Sequence, residues 1–125
     1  MDRETILNDT LSALRALRIS GVTLEEEIYS HISNALNAAD IAYSREVRLA
    51  PGCRVDYLLP EGIIIEVKKG KPNRTALLSQ LERYAGLDEV SHLIVIVQRG
   101  VSLPQKICTK PCSSLILDRQ WGIAL

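Results

Sequence analysis

Apolar residues recur at helical spacing from the start of the chain. Leu7, Leu11, Leu14 and Leu17 fall on one face of residues 3–18, with Arg3, Arg15 and Arg18 elsewhere. This predicts a first helix that ends at Ile19-Ser20-Gly21. Thr23 followed by Glu26 has capping-box spacing for a second helix over residues 24–38. Its inward stripe is Leu24, Ile28, Ile32, Ala35, Leu36 and Ala39. At about 100° per residue Glu25 projects within that stripe, whereas Glu26 and Glu27 point away. A carboxylate on an inward face at a helix start needs an explanation.

The period then shortens to two. Residues 42–49 alternate, with Tyr43, Val47 and Leu49 among Ser44, Glu46 and Arg48, and Pro51-Gly52 turns the chain. Residues 54–59 and 63–68 read as two strands of a hairpin around Pro60-Glu61-Gly62. A polar start at residues 73–75 leads into a helix over 76–85, with Leu77, Leu78, Leu81 and Ala85 inward. Residues 92–98 form an almost wholly apolar run, as in a strand buried on both faces. Residues 99–112 read as loop with one helical turn, and 114–117 as a weaker strand. The order α-α-β-β-β-α-β combines an antiparallel hairpin with a helical crossover between parallel strands. It predicts an α/β fold, a mixed four- to five-stranded sheet flanked by helices, as one domain over residues 1–125 with 1–20 as an amphipathic N-terminal helix.

Composition narrows the class. Of 125 residues, 46% are hydrophobic and 24% charged, which excludes disorder as the main state. Fifteen basic residues balance fifteen acidic ones, so bulk electrostatics alone does not make this a polybasic nucleic-acid binder. No apolar run is long enough to span a bilayer, and residues 1–4 lack the plan of a signal peptide. Three cysteines do not make a disulfide framework. The expectation is a cytoplasmic protein without a membrane partner. Cys108 and Cys112 have no second ligand pair for zinc and read as loop cysteines, while His31 and His92 read as structural.

The chemistry concentrates in residues 54–68. Glu66 and Lys68 share one strand face above Ile64, and Ile63, Ile65 and Val67 fill the other. A three-residue loop ending on Gly62 pairs Leu59 with Ile63, and counting back sets Asp56 opposite Glu66. Two facing carboxylates repel, a cost that a hard divalent cation reverses. The plainer alternatives are a solvated sheet face with a cross-strand ion pair for Glu66 and Lys68, a charge favouring the helix dipole for Glu25, and a border position for Gln80 and Tyr84.

Asp56, nine residues, Glu66, one residue, Lys68 resembles the PD-(D/E)XK nuclease superfamily, with Val55 where that pattern has proline. Leu24-Glu25, then Asp56-Tyr57-Leu58-Leu59-Pro60-Glu61-Gly62, then Glu66-Val67-Lys68 is similar to the phage junction-resolving endonucleases. Gln80 and Tyr84 resemble the Gln-x-x-x-Tyr element of the RecB-like and lambda-exonuclease branch, and the likeness covers about residues 21–98. The resemblance implies a restriction-endonuclease-like core with Mg²⁺ or Mn²⁺ held by Asp56 and Glu66, the Val67 carbonyl as an extra ligand, and Glu25 completing the metal site through a second metal or a metal-bound water. Lys68 would orient the attacking water, and Gln80 would sit beside the scissile phosphate or steady Lys68. The implied reaction is in-line hydrolysis of a DNA phosphodiester.

Lys68, Lys69, Lys71 and Arg74 lie just past this stretch, with Arg45, Arg48 and Arg54 on the preceding strands. Arg54, Lys69, Lys71, Arg74 and Tyr84 are the candidate nucleic-acid contacts. Four tyrosines, one tryptophan and no phenylalanine make a poor base-stacking platform, so backbone and shape recognition remain. That suits a structure-selective endonuclease on branched DNA such as a Holliday junction. A homodimer would supply two sites, with the leucine stripe of residues 7–17 a candidate surface, although packing on its own sheet is the more ordinary use. The rivals are an exonuclease or repair nuclease and, from another class, a non-catalytic nucleic-acid-binding module.

Overall fold

Residues 2–19 and 24–118 are described by a computed structural model. Helix α1 (Arg3–Arg15) starts where the Asp2 carboxylate accepts the Thr5 N–H at 2.8 Å. Helix α2 (Glu25–Ala38) follows Leu24, which has extended backbone and offers no capping side chain. Thr23, the other half of the predicted capping box, lies outside the described residues. That extended backbone takes Leu24 out of helical phase: it is 62% exposed, and the buried stripe is Ile28, Ile32 and Leu36. Ala39, also expected inward, is exposed beyond the helix end.

Strands β1 (Ser44–Ala50), β2 (Cys53–Leu58) and β3 (Ile63–Lys68) follow, then α3 (Arg74–Ala85). Strands β4 (His92–Val97), β5 (Lys106–Ile107) and β6 (Lys110–Ile116) complete the described fold. They form one mixed sheet of six strands in the order β1-β2-β3-β4-β6-β5, more than the four or five expected. The antiparallel pairs are β1·β2, β2·β3 and β5·β6, while β3·β4 and β4·β6 are parallel. The difference from expectation lies in residues 99–112, which hold β5 and the start of β6. Pro111, Ser113 and Ser114 hide that strand from propensity, but pairing with fully buried β4 enforces it. Cys112 is therefore a buried strand residue, not a loop cysteine.

Helices cover both faces of the sheet. On one, α1 and α2 bury Leu7, Leu11, Leu14, Ile28, Ile32 and Leu36 against Tyr57, Ile63, Ile65 and Val67. On the other, α3 buries Leu77, Leu81, Tyr84 and Ala85 against Val55, Ile64, Leu93 and Val95. The leucine stripe of α1 is thus engaged within its own chain, which removes it as a dimer surface.

Two backbone features shape the site. Strict alternation would put Val55 and Tyr57 on the same face, yet they belong to opposite cores, so β2 rolls over at Asp56. Across from it, between the Arg45↔Tyr57 and Val47↔Val55 pairs, Glu46 sits at φ 53°, a left-handed conformation uncommon for glutamate. The β2–β3 connection is a short 3₁₀ turn, Pro60–Gly62, closed by a 2.8 Å bond from the Leu59 N–H to the Ile63 carbonyl. Gly62 has φ 75°, and a Cβ there would collide with the Glu89 carbonyl.

Candidate functional site

The β2–β3 ladder runs through Leu58↔Ile64 and Tyr57↔Ile65, and the next pair in register is Asp56 and Glu66. There side chains take over from the backbone. The Asp56 N–H donates to Glu66 Oε1 at 3.0 Å, and the Val67 N–H donates to Asp56 Oδ2 at 2.7 Å. Each carboxylate is held by the main chain of the opposite strand, so the two acids face each other where the strands part. Glu66 is 2% exposed. Burial, then the Asp56 charge, push its pKa up to about 7, and Lys68 partly offsets this. Lys68 Nζ lies 3.5 Å from Glu66 Oε2, with its side chain partly exposed. The expected convergence of Asp56, Glu66 and Lys68 is present.

Glu25 stands one side chain further out. It is exposed, and the Tyr29 hydroxyl donates to its Oε1 at 3.4 Å. Burial raises the pKa of Tyr29, and the Asp56, Glu25 and Glu66 charges add to the shift. Among the described residues no group of three or more His, Cys, Asp or Glu is gathered closely enough to hold a metal. Asp56 and Glu66 are thus a pair of facing acids, with Glu25 standing apart and hydrogen-bonded to Tyr29. Val67 enters through its N–H.

On the opposite side, Gln80 Nε2 donates to the Tyr84 hydroxyl at 2.9 Å, and that hydroxyl donates to the Arg54 carbonyl at 2.9 Å. Tyr84 is 2% exposed, and burial followed by the Glu66 charge pushes its pKa up to about 12. It clamps α3 to β2 and is almost wholly buried, contrary to the expected nucleic-acid contact. Gln80 is half-buried and tied to this clamp. Arg54 is exposed and paired with Glu46 at 3.1 Å. Lys69, Lys71 and Arg74 are exposed, with Arg74 Nε donating to the Ser102 carbonyl at 2.8 Å. The buried Gln98 anchors that basic loop, its Oε1 accepting the Gly70 N–H at 2.8 Å.

Two grooves flank the acids. One, of about 420 Å³, is lined by Arg48, Arg54, Gln80 and Tyr84 between the β1–β2 ribbon and α3. The larger, about 550 Å³, lies between α2 and β1 and is lined by Tyr29, Ser33, Arg45 and Glu46 among others. Neither groove's lining includes Asp56, Glu66 or Lys68. Against protein-family models, curated proteins and solved structures, the chain matches none.

The chemistry at the parted strands fits one divalent cation. Mg²⁺ and Mn²⁺ take oxygen donors and need only one or two protein carboxylates. Each carboxylate oxygen carries two lone pairs, so the oxygens bonded here to backbone N–H groups keep acceptor capacity. A cation would also offset the burial and the Asp56 repulsion that together raise Glu66. Tyr29 escaped sequence-based selection, and Arg45 reads from sequence only as part of the basic track, not as a neighbour of Asp56. The i,i+4 spacing of Glu25 and Tyr29 was the available signal for the first.

Proposed function

We propose that the chain is a metal-dependent deoxyribonuclease with a restriction-endonuclease-like core, a structure-selective endonuclease acting on branched DNA such as Holliday junctions. The supporting observation is the Asp56–Glu66 pair with Lys68 beside it, placed where two sheet strands part. In this reading Asp56 and Glu66 hold Mg²⁺ or Mn²⁺, with the Val67 carbonyl as a further donor and Glu25 acting through a second metal or a metal-bound water, as the resemblance implies. The cation supplies Lewis acidity toward the phosphodiester and the attacking water. Lys68, at the open side of Glu66, orients the water and offsets charge growing on the phosphoryl oxygens. The exposed cations Lys69, Lys71, Arg74, Arg48 and Arg54 supply phosphate contacts on the side of the β1–β2 ribbon and α3. Paired cuts in a junction call for two copies, joined through a surface other than the α1 stripe.

An exonuclease or repair nuclease is the second reading, favoured by the Gln80–Tyr84 pair. A non-catalytic binding module is the third, and the retained pair of repelling acids speaks against it.

The test is incubation with four-way junction, flap, linear duplex and single-stranded DNA in Mg²⁺, Mn²⁺ or EDTA. Metal-dependent internal cutting of the junction is expected, reduced ~10²-fold or more by Lys68→Ala or Glu66→Ala. Product from ends alone would select the exonuclease. Junction binding without cutting under any metal would select the binding module.

A further inference from the structure

Asp56 has no strand partner for its main chain where β2 leaves β3. Its N–H goes to Glu66 Oε1, and its carbonyl accepts Arg45 Nε at 3.2 Å. Arg45 reaches across from β1, and its guanidinium carbon lies 4.3 Å from the Tyr29 ring centroid and 4.5 Å from that of Tyr57. That platform is fixed. Tyr57 is fully buried, its hydroxyl donates to the Tyr29 carbonyl at 3.0 Å, and Ser33 Oγ lies 2.8 Å from it. Tyr43 packs edge-on against the same ring at 5.5 Å. An exposed arginine is thereby held in one place by the core beneath it.

We infer that Arg45 is a positioning residue: seated on Tyr29 and Tyr57, it fixes the Asp56 main chain and so sets the Asp56 carboxylate against Glu66 for the cation. The inference rests on the nuclease reading above. Arginine is required rather than any cation. A planar guanidinium lies against ring faces and aims its Nε–H, whereas a lysine ammonium is a point charge on a flexible stem. The competing role, a plain positive charge for a DNA phosphate, is one that lysine would fill.

Arg45→Lys and Arg45→Met separate the two, read by Mn²⁺ titration of the protein alone using electron paramagnetic resonance and by junction cleavage at saturating metal. Loss of positioning weakens Mn²⁺ by about tenfold or more in both variants, the scale typical of groups that orient metal ligands. It also lowers kcat in both, with KM for the junction unchanged in Arg45→Lys. Tyr29→Leu removes one ring of the seat, itself packed on Tyr57, while leaving the Arg45 side chain in place, and is expected to weaken Mn²⁺ in the same direction, which keeps the test valid if an Arg45 variant fails to fold. Arg45→Lys with wild-type Mn²⁺ affinity and kcat overturns the inference, as does a raised KM in Arg45→Met alone. A wild-type protein that neither binds Mn²⁺ nor cuts DNA overturns the nuclease reading itself.

Discussion

Glu66 is buried against a second carboxylate, so the folded chain binds its proton more tightly than the unfolded chain does. The sign follows from linkage. A pKa raised from 4.5 to about 7 contributes stability that is fully present below 4.5 and is lost as pH rises toward 7. The metal-free protein should therefore become less stable across that window, by a few kcal/mol at most. Urea denaturation at pH 4.5, 6 and 7.5 checks this, and Glu66→Gln should flatten the slope. Under the proposed metal binding the same proton competes with the cation. Added Mn²⁺ should raise the melting temperature more at pH 8 than at pH 5.5, a contrast that Glu66→Gln removes. The facing of Asp56 and Glu66 was legible from two facts, a period of two and a tight turn ending on glycine. Arg45, bonded to the Asp56 carbonyl, and Tyr29, beneath the Arg45 guanidinium, were not, because their placement beside the acids comes from tertiary packing.

Among the elements, the β2–β3 turn and α3 carry separable tests. Gly62→Ala forces a side chain at φ 75° against the Glu89 carbonyl, in a turn already fastened by the bond from the Ser91 N–H to the Gly62 carbonyl at 2.9 Å. A loss of about 2 kcal/mol or more is expected in equilibrium denaturation. Tyr84→Phe deletes the hydroxyl that joins Gln80 to the Arg54 carbonyl and should cost ~1–2 kcal/mol while leaving the α3 core packed. If Tyr84 contacted DNA instead, that variant would weaken DNA binding and leave stability unchanged. Helical and buried-strand periodicity located α1, α3 and β4 because their apolar spacing matches the secondary-structure period. The end of β6 reads from sequence as a weaker strand over 114–117, whereas β5 and the start of β6 escaped because their polar positions violate that period, and their place is fixed by the parallel pairing of β6 with β4. The roll of β2 at Asp56 was equally hidden, since a left-handed glutamate across from it has no compositional signature.

At the scale of the whole molecule, the α1 stripe decides between fold and assembly. Leu14 is almost fully buried in the core shared with α2 and the sheet, so Leu14→Ala should cost about 2–5 kcal/mol. Leu7→Ala and Leu11→Ala should likewise lower stability and leave the sedimenting mass unchanged; a mass that halved would restore α1 as a dimer seam. No helix among the described residues is long and apolar enough to cross a membrane. The central sheet also has an internal gradient. Every residue of β4 is buried, while β1 is an edge strand whose Ser44, Arg45, Glu46 and Arg48 face solvent. Backbone amides of such an edge ribbon exchange with deuterium through local opening, long before those of the central strands. Asp56 belongs to the ribbon and Glu66 to the protected interior. Anything that grips both acids therefore ties the part of the chain that opens most readily to the part that opens last. Its arrival would be recorded first as slowed deuterium uptake along residues 44–56, the half of the grip that opens first.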